Sequence, residues 1–272
     1  MFFNKNINDC KLLVFDLDGT ILGKKSNISN KMIELCSILK KQDILFTIAT
    51  GRSSKPALNY ANILGIEIPI ICLGGSLIIN PINNKIIRET KIDKKISQRF
   101  LKTLDQEKYE PALYFGSNLY IKQISKWSKG YIERQKIPYF IDKNFSIISK
   151  NNPTMILIVG NPDDIDSLEK KLPKLIKNSL YVVRSMPHFC ELSNLKGNKF
   201  FALKFLLETL NLNFSNVITF GNGEADIEII KSSQIGISIN NSSKKLLKDS
   251  DFSIAPPEEQ GVENFIEKYI LK

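Results

Sequence analysis

The sequence predicts an α/β protein whose core is a parallel sheet covered by helices on both faces, with an inserted α/β cap domain. Near both ends of the chain, continuous apolar segments alternate with segments of helical periodicity, a pattern typical of such a sheet. Between them, the strand segments are shorter and more polar, aromatic residues cluster, and turn signals are denser. We therefore predict a core of residues 1–83 and 188–272 and a cap of residues 84–187.

The elements follow from apolar runs, helical spacing and turn signals. Ser29 precedes the first helical segment and is expected to cap it. The predicted elements are, in order, a strand at 11–15, a helix at 30–40, a strand at 44–49, a helix at 56–64, a strand at 69–73, a cap strand at 155–159, a helix at 168–176, a cap strand at 180–183, a helix at 198–210 and a strand at 216–220.

Composition excludes some classes of protein. No apolar stretch approaches the roughly 18 residues that a membrane span needs. The chain begins with polar residues rather than a signal peptide, and its four scattered cysteines are typical of reduced thiols, so we expect a cytoplasmic location. The net charge of +10 is spread along the whole chain without a basic nucleic-acid motif, so no nucleic-acid partner is expected.

Two carboxylates stand at the end of the first predicted strand. Asp16 and Asp18 follow an apolar run directly and lead into Gly19. An ordinary Asp-Gly turn would explain the pattern. Burying neighbouring carboxylates is costly, however, unless a divalent metal and a phosphate-bearing substrate compensate for their charge. Thr50 ends the second strand, and ligands of parallel sheets bind at this edge.

A glycine-rich turn follows the last predicted strand. Gly221 and Gly223 could present backbone N–H groups to an anion. The dinucleotide fingerprint is incomplete here, since its third glycine is missing, and the chain has no phosphate-loop motif.

The order of these motifs resembles the order found in the haloacid-dehalogenase-like phosphatases, and the resemblance covers essentially the whole chain. The segments that carry the resemblance are Asp16-Leu17-Asp18-Gly19-Thr20, Ala49-Thr50-Gly51-Arg52, Lys199 at a helix start, and Gly221 with Asp226 after a strand. The long insert between Thr50 and Lys199 is similar to the insert of the Cof-type subgroup, whose members carry a large α/β cap on a Rossmann-like core.

The resemblance implies a role for each matching residue. Asp16 would attack phosphorus and form an aspartyl-phosphate, and Asp18 would act as general acid and base. Thr50 would hold phosphoryl oxygens, and Lys199 would neutralise charge, with Lys196 as a competing candidate. The other implied phosphate- or substrate-binding residues are Thr20, Gly51 and Arg52, of which Arg52 either assists binding or braces its loop.

The resemblance also implies a Mg²⁺ cofactor. The implied metal residues are Asp16, Asp18 through its backbone carbonyl, Asn222 and Asp226. Asn222 departs from the family pattern, which has an aspartate ligand there, and Ala225 replaces an asparagine. Because an amide lacks the negative charge of a carboxylate, we expect weakened metal affinity.

Three functions remain open at this point. The first is a Mg²⁺-dependent phosphatase for a small phosphorylated metabolite, such as a phosphosugar, a nucleotide or a cofactor phosphate. The second is a binding protein for such a metabolite with little or no turnover, which the departures at Asn222 and Ala225 favour. The third is a phosphomutase with the same covalent intermediate.

Overall fold

The computed structural model describes residues 7–104 and 108–271, and leaves the side chains at positions 8 and 134 undescribed. Residues 1–6, on which the expectation of no signal peptide depends in part, lie outside the described residues.

Fourteen strands are found within these ranges. They are β1 Leu12–Phe15, β2 Leu45–Ile48, β3 Ile70–Cys72, β4 Leu77–Ile79, β5 Ile86–Glu89, β6 Glu110–Phe115, β7 Asn118–Ile121, β8 Tyr139–Ile141, β9 Met155–Val159, β10 Tyr181–Met186, β11 Phe189–Ser193, β12 Val217–Gly221, β13 Ile235–Ile239 and β14 Phe252–Ile254.

The α-helices of the described chain lie between these strands and at its end. They are α1 Asn30–Lys41, α2 Ser54–Leu64, α3 Lys94–Thr103, α4 Lys126–Gln135, α5 Pro162–Ile176, α6 Lys199–Thr209, α7 Ile227–Ser232, α8 Lys244–Asp249 and α9 Gly261–Phe265, followed by a π-helical turn at Ile266–Ile270. Within the described residues, every helix falls short of the length and apolarity needed to cross a membrane.

The main sheet contains five parallel strands in the order β14-β13-β12-β1-β2. All four residues of β1 are fully buried, as expected for a central strand with helices on both faces. The predicted cap of α1 is confirmed, since Ser29 Oγ accepts a hydrogen bond from the Met32 amide at 3.0 Å. Because the strands of this sheet are parallel, the carboxyl ends of β1, β2 and β12 lie at the same edge.

The third predicted strand, β3, differs from its neighbours. It pairs antiparallel with β4, which pairs antiparallel with β5. Its contact with the main sheet is a single parallel bridge between Ala49 and Ile71. The turn at residues 73–75 has positive φ throughout and folds the chain back into a hairpin. Hairpin pairing thus takes the place of further parallel pairing.

The inserted region forms its own six-stranded sheet in the order β10-β11-β9-β6-β7-β8. Helices α3 and α5 pack on one face of this sheet, around a separate apolar cluster. Strand pairing departs from the predicted boundaries, because β5 (Ile86–Glu89) pairs with β4 and β11 (Phe189–Ser193) pairs with the cap strands. The division at residues 84 and 187 itself stays a prediction.

Candidate active site

A buried lysine links two aspartates at the carboxyl edge of the main sheet. Lys199 Nζ donates to Asp16 Oδ1 and to Asp226 Oδ1, each at 2.7 Å. Asp16 follows β1, Asp226 follows β12, and all three side chains are buried. The competing candidate, Lys196, is exposed. The structure thus brings Lys199, and not Lys196, to the two carboxylates.

The start of α6 positions Lys199. Asn198 caps this helix, because its Oδ1 accepts a hydrogen bond from the Phe201 amide at 3.0 Å. Gly75, at φ +110°, lies against the same turn, and a Cβ on it would come within 2.2 Å of the Asn198 carbonyl oxygen. Only a glycine allows this close backbone approach.

Burial and the charge of the lysine or aspartate partner shift the pKa values of Asp16 and Lys199 in opposite directions. Burial raises the pKa of Asp16 to about 7, although Lys199 acts to lower it and Asp226 raises it further. Burial alone would lower the pKa of Lys199, but Asp16 and Asp226 outweigh it and raise the pKa. The lysine is therefore held as a cation, which suits charge neutralisation beside Asp16.

The hydroxyl of Thr20 marks a point where two further oxygens converge. Thr20 Oγ1 lies 3.3 Å from Asp16 Oδ2 and 3.4 Å from Asn222 Oδ1. The Asn222 amide packs on Gly19, where a Cβ would lie 2.1 Å from Nδ2. A carboxylate oxygen from β1 and an amide oxygen from the β12 loop thus face the same position.

Asp226 uses both of its carboxylate oxygens for contacts within the protein. Oδ1 accepts from Lys199, while Oδ2 accepts from the backbone amides of Asn222 at 3.1 Å and Gly223 at 2.9 Å. In this arrangement Asp226 fixes the lysine and the glycine-rich loop together. Its predicted role as a metal ligand stays a prediction.

Thr50 lies in a loop that backbone hydrogen bonds join to the turn after β3. Its amide donates to Ile71 O at 2.9 Å, and its carbonyl accepts from the Gly74 amide at 3.0 Å. Its Oγ1 accepts from the Arg52 amide at 3.1 Å, so the hydroxyl hydrogen is left to donate. Thr50 and Gly51 line the same cavity as Asp16.

Arg52 is paired with Asp18. Its Nε and Nη2 donate to the two carboxylate oxygens of Asp18, each at 2.7 Å, in the bidentate geometry that favours a strong pair. The guanidinium also donates from Nη1 to Tyr60 Oη at 3.2 Å and stacks on that ring. Asp18 itself is 55% exposed. Both oxygens of the Asp18 side chain are therefore held by Arg52.

These residues surround a cavity of about 570 Å³ between the main sheet and the cap sheet. The structure brings together around it all of the predicted site residues except Thr20, which is fully buried beside Asp16. Sequence reasoning missed the cap residues of the wall, among them Glu191, Tyr181 and Gln135. Along β11 the signal was present as alternation, since Phe189, Glu191 and Ser193 line the cavity at every second position.

The oxygens at this edge suit a hard divalent cation. Asp16 Oδ2 and Asn222 Oδ1 converge near Thr20, and carboxylate and amide oxygens are ligands that Mg²⁺ takes. Among residues 7–104 and 108–271, no group of three or more His, Cys, Asp or Glu side chains forms a metal cage. Mg²⁺ sites that are completed by water and substrate phosphate need only one or two carboxylates.

Comparisons with known proteins agree with the fold. A phosphatase of Bacillus subtilis, YwpJ, is 23% identical over 288 residues, covering 96% of this chain and all of that protein. A solved haloacid dehalogenase-like hydrolase of Bacteroides thetaiotaomicron has a TM-score of 0.84 and 24% identity, covering 95% of this chain and 99% of that one. A HAD subclass IIB sugar phosphatase, BT4131, has a TM-score of 0.82 and 18% identity, with coverage of 95% and 98%.

A family model described as haloacid dehalogenase-like hydrolase matches residues 13–266, which is most of the chain. The match includes most of β1, the inserted cap and the loop after β12, and so contains every predicted site residue. The chain therefore belongs to the haloacid dehalogenase-like hydrolases, and the resemblance inferred from its motifs to the Cof-type members is confirmed.

Proposed function

We propose that this protein is a Mg²⁺-dependent phosphatase that hydrolyses a small phosphorylated metabolite through a phosphorylated Asp16. The observation that carries the proposal is the buried Asp16 carboxylate, held by Lys199 at 2.7 Å at the carboxyl edge of a parallel sheet. Membership of a hydrolase family and the phosphatases among similar proteins support it.

Asp16 is the proposed nucleophile. One of its oxygens attacks phosphorus, a new P–O bond forms, and the bond from phosphorus to the leaving oxygen breaks. Lys199 neutralises negative charge on Asp16 and on the transferred group, since a phosphate dianion and a carboxylate otherwise repel each other. Thr50 donates its free hydroxyl hydrogen to a phosphoryl oxygen.

Asp18 is the proposed general acid and base. It gives a proton to the leaving oxygen and later takes one from the water that hydrolyses the phosphorylated Asp16. Both of its oxygens accept from Arg52 in the structure, so this pair has to open before the proton is delivered. We propose that the substrate phosphate competes for Arg52 and thereby releases Asp18.

Mg²⁺ would be held by Asp16, Asn222 and the backbone carbonyl of Asp18. When bound, it supplies positive charge that lets the phosphate dianion approach the Asp16 carboxylate. Asp226 supports this site indirectly, because its carboxylate orders the loop that carries Asn222.

The test is phosphate release from p-nitrophenyl phosphate by the purified protein. We expect turnover with Mg²⁺, loss of turnover with EDTA, and a loss of at least about 10³-fold in Asp16→Asn, since covalent catalysis needs this carboxylate. Asp43→Asn, which changes an exposed carboxylate outside the cavity, is the control. After acid quenching with labelled substrate, the label should lie on the peptide that contains Asp16, and label on another residue would refute the mechanism.

A second function, binding of a phosphorylated metabolite without appreciable turnover, is favoured by the amide at Asn222. The same assay separates the two. Stabilisation by inorganic phosphate, without hydrolysis of any phosphate monoester, would favour the binding protein over the enzyme.

A further inference from the structure

The cap sheet supplies one wall of the cavity through alternate residues of its strands. Tyr181, Val183 and Ser185 of β10 and Phe189, Glu191 and Ser193 of β11 all line it. Cys190 and Leu192, which point the other way, pack in the apolar cluster of the cap. Glu191 is the acidic side chain among these alternate residues, which are otherwise apolar or hydroxyl-bearing, and Arg184 and Met186 of β10 also line the cavity.

Glu191 reaches from the cap to the loops that carry the predicted phosphate-binding residues. Its Oε2 lies 4.0 Å from the position that a Cβ on Gly51 would take, and 3.9 Å from the same position on Gly74. Because Gly51 directly follows Thr50, the Glu191 carboxylate lies beside the loop that is proposed to bind the phosphoryl group.

The Glu191 side chain is partly buried, and among the described residues it forms no ion pair with a lysine, arginine or histidine. Burial raises its pKa, while a hydrogen bond from Ser185 and the charge of Lys199 act against this shift. Lys199 is already held by Asp16 and Asp226. A ligand that donates hydrogen bonds to Glu191 would offset the cost of its burial.

Of the other basic residues that the structure describes in the cavity wall, two are paired with carboxylates and one is exposed. Among the described residues that line it, four are basic and six are acidic, in a chain whose net charge is +10. Arg52 is paired with Asp18, and Arg184 with Asp166 and Glu169, while Lys24 is exposed. Among the described residues on the cap side of the cavity, no unengaged buried cation is thus available to a second anionic group.

Gln135, the last residue of α4, adds a second polar group to the same wall. It is 8% exposed, and its Oε1 is buried with no hydrogen-bond partner in the described part of the chain. An unsatisfied buried amide costs free energy in the free protein. A donor on a bound ligand would satisfy it.

We propose that Glu191 and Gln135 bind the leaving group, and that the substrate is a phosphate monoester whose leaving group carries hydroxyl or amino hydrogen-bond donors and no second anionic group. This proposal rests on the proposed phosphatase function. It narrows the substrate to phosphorylated polyols, sugars and amino sugars, and disfavours bisphosphates and nucleoside diphosphates.

The test compares kcat/KM for a panel of phosphorylated polyols, sugars and amino sugars with that for p-nitrophenyl phosphate, whose nitrophenyl group carries no hydrogen-bond donor. At least one member of the panel should exceed p-nitrophenyl phosphate by about tenfold or more, because buried polar groups discriminate against ligands that leave them unpaired. A sugar bisphosphate should be a poorer substrate than the matching monophosphate.

Two variants then assign the preference to residues. In Glu191→Gln, the ratio of kcat/KM for the best panel member to that for p-nitrophenyl phosphate should fall at least about tenfold, and the bisphosphate should gain relative to the monophosphate. In Gln135→Leu the same ratio should fall while the melting temperature is kept or raised, since an unsatisfied buried group has been removed. Glu133→Gln and Gln98→Leu, which change exposed residues of the cap helices, should keep the ratio.

The outcomes separate this proposal from the one on which it rests. Hydrolysis of p-nitrophenyl phosphate with no preference for any donor-bearing monoester overturns the role of Glu191 and Gln135 and leaves the phosphatase standing. A preference that both variants retain overturns the assignment to these residues. Absence of all hydrolysis overturns the proposed function, and this inference with it.

Discussion

At the scale of the residue, Asp226 shows how one carboxylate can order two parts of a site. Its Oδ1 fixes Lys199, and its Oδ2 accepts from two backbone amides of the loop that carries Asn222. An asparagine of the same shape has one acceptor and one donor at these positions. Either Lys199 would lose one of its two carboxylate partners, or an NH₂ group would face the two amides.

We therefore expect Asp226→Asn to lower kcat by about 10–100-fold. This range is typical of residues that orient the active-site groups through hydrogen bonds. The concentration of Mg²⁺ needed for half-maximal activity should change much less, since both carboxylate oxygens of Asp226 already accept hydrogen bonds from the protein. Metal titration of the variant measures both effects, with Asp163→Asn on the exposed start of α5 as the control. A large rise in the Mg²⁺ requirement at unchanged kcat would instead assign Asp226 to the metal.

Asn222 stands where the resemblance to the phosphatase family implies an aspartate. Its Oδ1 faces Thr20 and Asp16, so a carboxylate in its place would add a negative charge where the metal is proposed to bind. We expect Asn222→Asp to raise activity and to lower the half-saturating Mg²⁺ concentration by about tenfold or more.

The matched control for this variant is Asn211→Asp, which adds the same charge at an exposed position outside the cavity. Metal titration under one set of conditions compares the two variants with the unmodified protein. An unchanged metal requirement in Asn222→Asp would show that position 222 does not contact the metal.

At the scale of the element, the start of α6 and the turn after β3 have to approach closely for Lys199 to reach Asp16. Gly75 makes this approach possible, because a Cβ there would lie 2.1 Å from the Asn198 carbonyl carbon. Gly65, which ends α2 at φ +69°, also has positive φ but has no atom near its Cβ position. Alanine at either glycine would strain the backbone, whereas alanine at Gly75 would also produce a steric clash. Comparing the two substitutions therefore distinguishes the two costs.

We expect Gly65→Ala to cost about 1–2 kcal/mol of unfolding free energy, the usual cost of a left-handed alanine. Gly75→Ala should cost more, at least about 3 kcal/mol, because the clash adds to the strain. Denaturant unfolding measures both changes. Activity should fall strongly only in Gly75→Ala, and equal losses of stability and activity in the two variants would contradict this explanation.

At the scale of the whole molecule, the buried charges of the site reduce stability in the absence of bound ligands. The pKa of Asp16 is raised from 3.8 to about 7 in the folded protein. Between these values the folded state binds a proton that the unfolded state has released. The corresponding stability is present below about pH 4 and is lost as the pH rises towards 7.

We therefore expect the melting temperature of the unmodified protein, measured in EDTA, to fall between pH 4 and pH 8 by several degrees more than that of Asp16→Asn. The variant lacks the carboxyl group that titrates in this range. At pH 8 the variant should be the more stable protein, and Mg²⁺ should stabilise only the unmodified chain. Asp43→Asn should follow the unmodified protein at every pH. Parallel pH profiles for Asp16→Asn and the unmodified protein would contradict the raised pKa.

Much of the main sheet and of the candidate site followed from the sequence alone. Apolar strands alternating with helices place Asp16, Thr50 and the loop at 221–226 at one edge, because parallel strands share the direction of their carboxyl ends. The helix carrying Lys199 was predicted for the same reason. These features depend on local periodicity and on a topology that leaves few alternatives.

Tertiary structure decided the contacts that depend on residues far apart in the chain. No local pattern in the sequence shows that the Asp226 carboxylate accepts hydrogen bonds from Lys199 and two backbone amides. Nor does one show that Arg52 binds Asp18 or that β3 forms a hairpin with the next strand. The position of Glu191 opposite Gly51 arises from the packing of the cap on the core. Periodicity in a sequence determines which face of an element is buried, whereas the partner of a buried polar side chain is set by three-dimensional packing.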